Sequence, residues 1–389
     1  MHYTNTIFNQ LLNFLPKDQF KQFVGQHQAD RYVKKLTTWN QLTALLYAQA
    51  TGKDSLREIE TGLNVHQATW HHLGIQSVAK SSLSYANTHR PYQIYEQLFY
   101  ALLQQCKTIT PQPQFTFTNP LYSFDSSIVA LCLSMFDWAT YSKTKGALKL
   151  HLLLNNRTTI PEVLTITTGQ ASDVATIKTM NLHLEPGSIL VFDRGYIDYS
   201  WWNTLNTQEV YFVSRIKKSQ NIRVLGQHNL CLEKNILKDE QVMFGDYNAC
   251  FYKYPQPLRQ VTYYDETTKQ AYVYLTNNFT LPATQIALIY KQRWQIELFF
   301  KWIKQNLKIK TFLGTSKNAV LTQIWVAMIY YLLLAYIKFQ TKFKKPLLEL
   351  TRMIKETLLL RRNLIDLLSL TTHTVHKLIQ LESPQLSFW

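Results

Sequence analysis

Three acidic residues lie in apolar or basic stretches of the sequence, where a carboxylate is unexpected. Asp125 lies within an apolar, strand-like segment, Asp193 directly follows a continuous apolar run, and Glu297 stands in a row of basic residues. Ionised carboxylates persist in such surroundings by pairing with cations or by binding metal. Because no His or Cys stands near them, these oxygen ligands favour Mg²⁺ or Mn²⁺ over zinc. Three such acids can hold two ions that promote phosphoryl transfer.

Each acid also has a simpler interpretation. Asp125 could be an edge or turn residue of its strand, and Asp193 could belong to a surface turn with a salt-bridged arginine. Glu297 could be one member of a row of ion pairs on a solvated helix face. The metal-site hypothesis therefore depends on the conjunction of the three acids with the order of the strands and with an excess of basic residues.

The segment from Tyr290 to Lys308 is predicted to be one long helix, because its apolar and charged residues alternate at helical spacing without Gly or Pro. One face of this helix combines an acid with cations and a tyrosine, and its members are Tyr290, Arg293, Glu297, Lys301, Lys304 and Lys308. The remaining faces carry large apolar residues, so we expect them to pack into the protein. The basic face is interpreted as a row of phosphate contacts beside a metal ligand.

The composition is that of a globular, basic protein. Among 389 residues, 46% are hydrophobic and 13% are aromatic, which excludes a disordered chain. The net charge is +16, and the segment from Leu281 to Trp389 contributes 16 basic residues against 5 acidic ones. A basic excess of this size favours a polyanionic partner, and nucleic acid is the first candidate.

Cysteine usage and hydropathy favour a cytoplasmic protein. The four cysteines (Cys106, Cys132, Cys231 and Cys250) have no metal-binding spacing and are predicted to be thiols in a reducing compartment. The N-terminus lacks the pattern of a signal peptide. Residues 320–337 form a membrane-like run, but Thr322 and Gln323 within it favour a buried core helix over a membrane span.

Residues 1–107 are predicted to form an N-terminal helical domain. Short helices separated by three- or four-residue turns suit a helix-turn-helix DNA-binding module, or alternatively a helical bundle that only docks on the core. The polar residues suited to DNA contact are Ser81, Ser82, Ser84, Tyr85, Asn87 and Arg90. A Pro-containing linker follows at residues 108–118.

Beyond the linker the pattern predicts an α/β fold. Three strands, at residues 121–129, 130–136 and 148–154, are predicted as an antiparallel meander, and alternating helices and strands of mixed direction follow them. Residues 217–280 are predicted as an inserted, β-rich subdomain, and residues 346–389 as a basic helical tail. Lys143, Lys145 and Lys149 are interpreted either as a second basic patch or as solvated surface.

The spacing Tyr290-x2-Arg293-x3-Glu297-x6-Lys304 resembles the YREK signature of bacterial insertion-sequence transposases of the DDE type, an IS-four-like family. Asp125 and Asp193, the latter in Asp-Arg-Gly-Tyr, resemble the two preceding acids of that family. The β-rich insertion and the N-terminal helical segment are also similar, so the resemblance covers nearly the whole chain. It implies a ribonuclease-H-like catalytic domain over residues 119–345 and a cut-and-paste DNA transposase.

The resemblance also implies roles for particular residues. The catalytic residues, which ligate two Mg²⁺ (or Mn²⁺) ions, are expected to be Asp125, Asp193 and Glu297. The expected DNA contacts are Tyr290, Arg293, Trp294, Lys301, Lys304 and Arg194. For Trp294 two interpretations stay open, because its ring could stack on a distorted end base or pack in the core.

The implied partners are double-stranded DNA, as the terminal inverted repeats of the element and as target DNA, and a second copy of the chain when two ends are paired. The implied location is the bacterial cytoplasm, in association with the nucleoid and without a membrane. Water attacks at the transposon end, and the freed 3′-OH then attacks the opposite strand, which gives a hairpin, or the target. The alternatives are a ribonuclease-H-like nuclease that never joins strands and a DNA-binding protein without catalysis.

Overall fold

The computed structural model describes residues 5–107, 117–216, 220–229, 233–309 and 311–369. Most of the predicted linker, Cys231 and the end of the predicted tail lie outside these ranges. The chain divides into two compact units. The helical unit comprises Met1–Pro111, Ser134–Trp138 and Trp302–Trp389, and the sheet unit comprises Gln112–Leu133 and Ala139–Lys301.

The helices follow one another through both units. They are α1 (Ile7–Leu12), α2 (Lys17–Gln26), α3 (Thr38–Thr51), α4 (Leu56–Val65), α5 (Trp70–Leu73), α6 (Lys80–His89), α7 (Gln93–Lys107), α8 (Asp173–Thr179), α9 (Tyr199–Thr207), α10 (Ala283–Gln292), α11 (Trp294–Asn306), α12 (Lys317–Gln340), α13 (Leu347–Thr357) and α14 (Leu364–Ser369). Thr37 and Ser55 cap α3 and α4, since each side chain accepts a hydrogen bond from a backbone N–H of the first turn. The N-terminal segment is thus helical, as predicted.

The core of the helical unit is α12, which packs against α3, α6, α7 and α13. It is long and apolar enough to cross a membrane, with a mean hydropathy of 1.9 in its most apolar window, but 94% of that window is buried inside the protein. A helix buried on all faces needs no amphipathic pattern, which explains its uniformly apolar sequence. The prediction of a core helix at residues 320–337 is confirmed.

The strands are β1 (Leu121–Leu131), β2 (Thr140–Ser142), β3 (Lys145–Asn155), β4 (Ile160–Thr168), β5 (Ile189–Phe192), β6 (Tyr211–Arg215), β7 (Ile222–Gln227), β8 (Ile236–Phe244), β9 (Leu258–Asp265) and β10 (Gln270–Thr276). They form one sheet in the order β2-β3-β1-β5-β6-β10-β9-β8-β7, with β4 paired to β3. The pairs β1–β5 and β5–β6 are parallel and the others are antiparallel. The sheet is mixed, as predicted.

Helices cover both faces of the central strands. In β5, Ile189 and Val191 join a core cluster with α10, whereas Leu190 and Phe192 join a second cluster with α8 and α9. Alternate residues of a strand point to opposite faces, so a strand that is apolar throughout must be buried on both. The apolar run before Asp193 is therefore a central strand of a covered sheet.

One detail of the strand prediction is wrong. Residues 130–136 are not a second strand, because β1 continues to Leu131 and residues 134–138 belong to the helical unit. There Phe136 packs edge-on against Phe312, with ring centroids 5.9 Å apart, so its apolar side chain serves that core. The described part of residues 217–280 is rich in β-strands, as predicted, and its strands β7 to β10 extend the main sheet through the pairing of β10 with β6.

The compact units divide the chain differently from the predicted domains. Residues 302–345, predicted as part of the catalytic domain, lie in the helical unit together with the N-terminal helices and the described part of the tail. The division falls within α11. The predicted catalytic domain therefore ends at residue 345, whereas the sheet unit ends at Lys301.

A buried ion pair between β8 and β9 gives a prediction about stability. Arg259 donates to both carboxylate oxygens of Asp239 at 2.8 Å, and each residue is 2% exposed. Because Asp239→Asn leaves a buried guanidinium without its counterion, we expect it to lower the free energy of unfolding by about 3 kcal/mol. Chemical denaturation measures this loss. Glu240→Gln, whose partner Lys238 is 62% exposed, is the control and should cost less than about 1 kcal/mol.

Candidate active site

Asp125 lies in β1, the strand between β3 and β5. Its side chain is 20% exposed, and its Oδ1 accepts the backbone N–H of Ser126 at 2.8 Å. Burial raises the pKa of Asp125 to about 6, against the lowering effects of the Ser126 hydrogen bond and Arg293; Asp193 and Glu297 add to the rise. The acid thus lies in a strand, as predicted, and a cation beside it would relieve the cost of its charge.

Asp193 directly follows β5, the parallel neighbour of β1. Ser123 of β1 pairs with Val191 of β5. Two residues further along both strands, this register places Asp193 beside Asp125. Its Oδ1 accepts the N–H of Gly195 at 2.6 Å, which starts a short 3₁₀ turn. A Cβ on Gly195 would lie 2.8 Å from that oxygen, so any larger residue would displace the carboxylate.

The single helix predicted from Tyr290 onward is wrong, because the helix is interrupted at Arg293, between α10 and α11. Arg293 donates its N–H to the carbonyl of Tyr290 and accepts the N–H of Ile296, both at 3.1 Å and both at three-residue spacing. The buried Asn156 amide donates instead to the carbonyl of Gln292 at 2.8 Å. A side chain that enters the helical hydrogen-bond pattern is a recognised cause of such a break.

Arg293 links two of the three acids. Its Nη1 lies 3.3 Å from Asp125 Oδ2, and its Nη2 lies 2.5 Å from Glu297 Oε1. The three side chains are 17%, 20% and 34% exposed, respectively, so the contact is partly shielded from water. The structure therefore brings the strand acid and the helix acid to one guanidinium, although 168 positions separate Asp125 from Arg293.

The residue types of this site fit divalent magnesium or manganese. All three acids offer hard oxygen ligands, and burial leaves Asp125 in need of a nearby cation. Within the described ranges, however, no three His, Cys, Asp or Glu side chains lie close enough to share one ion. The guanidinium of Arg293 lies between Asp125 and Glu297 and balances their charge.

The predicted basic face of the helix is only partly continuous. Lys301 is exposed at the end of the sheet unit, whereas Lys304 lies in the helical unit. Lys308 also lies there, and its ammonium contacts Asp54 at 2.7 Å. Tyr290 lies on α10, and α11 ends at Asn306 before Lys308, so the prediction of a single row of six residues on one helix is wrong at both ends.

Trp294 and Tyr290, the aromatic residues predicted to contact DNA, differ in their exposure. Trp294 is 58% exposed, so the interpretation that it packs in the core is wrong. Tyr290 is half-buried and packs against Tyr274, with ring centroids 4.8 Å apart and ring planes tilted by 34°. Its ring centroid lies 5.8 Å from the Arg293 guanidinium carbon. Arg194, next to Asp193, is exposed.

Lys149 is neither a surface residue nor part of a patch with Lys143 and Lys145. It is 8% exposed and its ammonium contacts Asp173 at 3.3 Å, whereas the other two lysines are exposed. Asp173 also lies 3.5 Å from the buried His151. Burial lowers the pKa of His151 to about 4, so this imidazole is neutral at neutral pH.

The polar residues predicted for DNA contact in the N-terminal segment separate into two groups. Asn87 and Arg90 are buried and hydrogen bond to the side chain of Gln41, so they are structural. The exposed members, all on α6, are Ser81, Ser82, Ser84 and Tyr85. Helical periodicity could have separated the groups, since Leu83, Asn87 and Arg90 share one face.

Sequence reasoning missed Asn156 and Gly195, which shape the surroundings of Arg293 and Asp193. For Gly195 a signal exists, because a glycine two residues after an acid permits a close backbone approach to the carboxylate. For Asn156 the signal is absent, since its partner Gln292 lies 136 positions away.

Comparisons with known proteins bear on this site. Residues 117–333 match the family described as transposase DDE domain, and residues 3–76 match a domain of unknown function, DUF4372. A Sinorhizobium fredii protein named "Putative transposase y4zB" is 30% identical over a region that covers 74% of this chain and 80% of that protein. A Geobacillus stearothermophilus protein, named probable transposase for insertion sequence element IS5377, is 29% identical over 69% and 70%.

Among solved structures, a piggyBac transposase synaptic complex with hairpin DNA covers 99% of this chain and 81% of its own, at a TM-score of 0.43 and 12% identity. The DDE-domain match alone spans more than half of the chain. DNA is accordingly the partner, and a general dependence on divalent metal ions follows from the family. The chain belongs to the DDE transposases of bacterial insertion sequences, enzymes with a ribonuclease-H-like α/β fold that cleave DNA and transfer the cut strand.

Proposed function

We propose that Asp125, Asp193 and Glu297 are the catalytic acids and that they ligate two Mg²⁺ or Mn²⁺ ions. The observation that carries this proposal is the Arg293 guanidinium, which contacts both Asp125 and Glu297. The position of Asp193 after the parallel neighbour of β1 supports it. When bound, such ions supply the charge that activates the attacking oxygen and stabilises the leaving one.

The chain's own groups hold the DNA in this proposal. The proposed contacts are Tyr290, Arg293, Trp294, Lys301, Lys304 and Arg194. Arginine suits a phosphate because its planar fork donates two parallel hydrogen bonds. The exposed ring of Trp294 offers a stacking surface for a distorted base at the transposon end. The half-buried Tyr290 is held in place by packing against the ring of Tyr274.

The proposed reaction is cut-and-paste transposition. The enzyme binds the terminal inverted repeats, water attacks at the transposon end, and the freed 3′-OH attacks the opposite strand to give a hairpin. After the hairpin is opened, the 3′-OH attacks target DNA. Two copies of the chain act together when both ends are paired, and the protein works in the cytoplasm on nucleoid DNA.

The proposed division of labour follows the predicted domains. Residues 1–107 bind DNA, with the exposed side of α6 as the first candidate surface, and residues 108–118 link them to the catalytic part. Residues 119–345 carry the catalytic acids, with residues 217–280 as the insertion. The basic residues of 346–389 contribute to DNA affinity through phosphate contacts.

Radiolabelled inverted-repeat ends test the proposed reaction. Incubated with Mg²⁺, the enzyme is expected to release a product that runs at twice the strand length on a denaturing gel, as a hairpin does. Supercoiled target plasmid should then acquire the label. Cleavage without either product would contradict hairpin formation and joining and would support a nuclease. Binding without cleavage would support the interpretation as a non-catalytic DNA-binding protein.

The basic excess predicts a steep salt dependence of DNA binding. Neutralised phosphates release counterions, so an interface with six or more phosphate contacts is expected to lose about a thousandfold in affinity between roughly 50 and 200 mM KCl. Fluorescence anisotropy with a duplex of random sequence measures the slope. Replacing the exposed Lys344 and Lys345 with glutamine should lower the slope by about 0.9 for each lysine that contacts a phosphate. A flat response of the wild type would contradict a DNA surface.

A further inference from the structure

The helical unit contains a cavity of about 380 Å³ that the proposed reaction does not use. Its walls come from α2, from Trp39 near the start of α3, and from the end of α5. All of these residues lie within the domain of unknown function, residues 3–76. A cavity of this size lies within the usual range for small ligands.

One wall of this cavity is aromatic and fixed. Phe20 is 3% exposed and packs edge-on against Trp39, with ring centroids 6.0 Å apart. The indole N–H of Trp39 donates to the carbonyl of Leu73 at 3.0 Å, which holds the ring in place. A fixed, partly exposed indole is a stacking surface for a flat aromatic ligand.

Two lysines and two histidines lie around this aromatic wall. The ammonium of Lys17 lies 5.4 Å from the centroid of the Trp39 ring. Lys21, His71 and His72 also line the cavity, and the centroids of the two imidazole rings lie 3.8 Å apart. Burial, His71 and Arg361 lower the pKa of His72, so this imidazole is neutral at neutral pH and acts as a hydrogen-bond donor rather than as a cation. Burial lowers the pKa of the Lys17 ammonium, and the positive charge of the neighbouring Lys21 lowers it further. Both effects are expected of a cation that lacks a nearby anion.

The acids near the cavity do not balance these charges. Asp30, the acid among the described lining residues, already accepts two hydrogen bonds from Thr38 at 2.7 Å and lies 3.6 Å from the buried Arg90. Asp18 lies 3.7 Å from Lys21, but both side chains are largely exposed, so this pair is weak. The cavity therefore combines an aromatic wall with unbalanced positive charge.

We propose that this cavity binds one nucleotide, with its base against Trp39 and its phosphate among Lys17, Lys21 and His72. Stacking on an aromatic ring accepts any base, and the cations complement the phosphate. Because the protein acts on DNA, we assign the occupant as an unpaired nucleotide of a DNA end. A free nucleotide has the same chemistry and is distinguished by the experiment. The proposal is independent of the metal site.

Duplexes with one unpaired thymidine test the proposal by fluorescence anisotropy in EDTA, where cleavage cannot proceed. The full chain is expected to bind such a duplex about tenfold more tightly than the fully paired duplex, the lower part of the range for stacking one base. Lys17→Met keeps the side-chain length over Trp39 and removes the charge. It should abolish the preference, and any loss of affinity for the paired duplex should be no larger than that of the control variant. Lys34→Met, an exposed lysine outside the cavity, is the control and should keep the preference.

Three results would overturn the proposal. They are a preference that survives Lys17→Met, equal binding when an abasic unit replaces the thymidine, and equal loss in Lys34→Met. If the wild type shows no preference but binds thymidine 5′-monophosphate in a Lys17-dependent way, the nucleotide site stands and its assignment to DNA is overturned. Asp125→Asn should keep the preference, so the result separates this cavity from the active site.

Discussion

Replacing Asp125 with asparagine is expected to lower the rate of Mg²⁺-dependent cleavage of inverted-repeat ends by a thousandfold or more. That loss corresponds to about 4 kcal/mol of transition-state stabilisation, which is the scale of a metal ligand's contribution. Asparagine keeps the shape of the side chain but not the charge that holds a divalent cation. Single-turnover cleavage of labelled ends measures the rate, and a mobility shift in Ca²⁺ measures end binding, which should persist.

The fold should tolerate this substitution. Burial raises the pKa of Asp125 to about 6, so its charge is held at a cost, and the contact of Arg293 with Glu297 does not involve Asp125. Glu266→Gln, an acid 61% exposed in the same unit, is the control and should cleave at the wild-type rate. Full cleavage by Asp125→Asn would contradict the assignment of this residue. Loss of end binding together with cleavage would indicate a structural defect.

Local pattern was enough to predict the elements that carry the acids. A run that is apolar throughout, ending in Asp193, predicts a strand covered on both faces, and β5 is such a strand. Asp125 likewise lies in a predicted strand, and the residues after Arg293 are helical. The uniformly apolar α12 was distinguished from a membrane span by its polar Thr322 and Gln323, which are buried within the helical unit.

Contacts between residues distant in the sequence account for the features that the local pattern did not predict. The helix breaks at Arg293 because Asn156, distant in sequence, donates to the carbonyl of Gln292. Residues 130–136 form an apolar run like that of a buried strand, yet Phe136 packs in another compact unit. Lys149 has the type of a surface residue and is buried because Asp173 balances it. In each case the contacting partner is distant in the sequence, so neighbouring residues give no indication of the contact.

Arg293→Gln is expected to tighten Mn²⁺ binding by DNA-free protein while it weakens cleavage. In this structure the guanidinium contacts both Asp125 and Glu297, so a divalent ion must displace it before it can bind both carboxylates. A hydrogen bond to a charged group contributes about 1.5–3 kcal/mol, and the loss of one such competitor corresponds to a gain of about tenfold or more in affinity. Isothermal titration calorimetry measures that affinity. The cleavage rate should fall, because the same arginine is the proposed phosphate contact.

Lys291→Gln is the matched control for this experiment. It removes a positive charge two positions away, but that ammonium contacts Asp265 at 2.9 Å, so it does not compete for the catalytic acids. A gain in Mn²⁺ affinity in both variants would indicate a general electrostatic effect rather than displacement. A loss of affinity in Arg293→Gln would show that the arginine orients the carboxylates for metal. The expected opposite changes in metal affinity and cleavage follow only if one guanidinium balances the acids before the metal binds and holds the DNA afterwards.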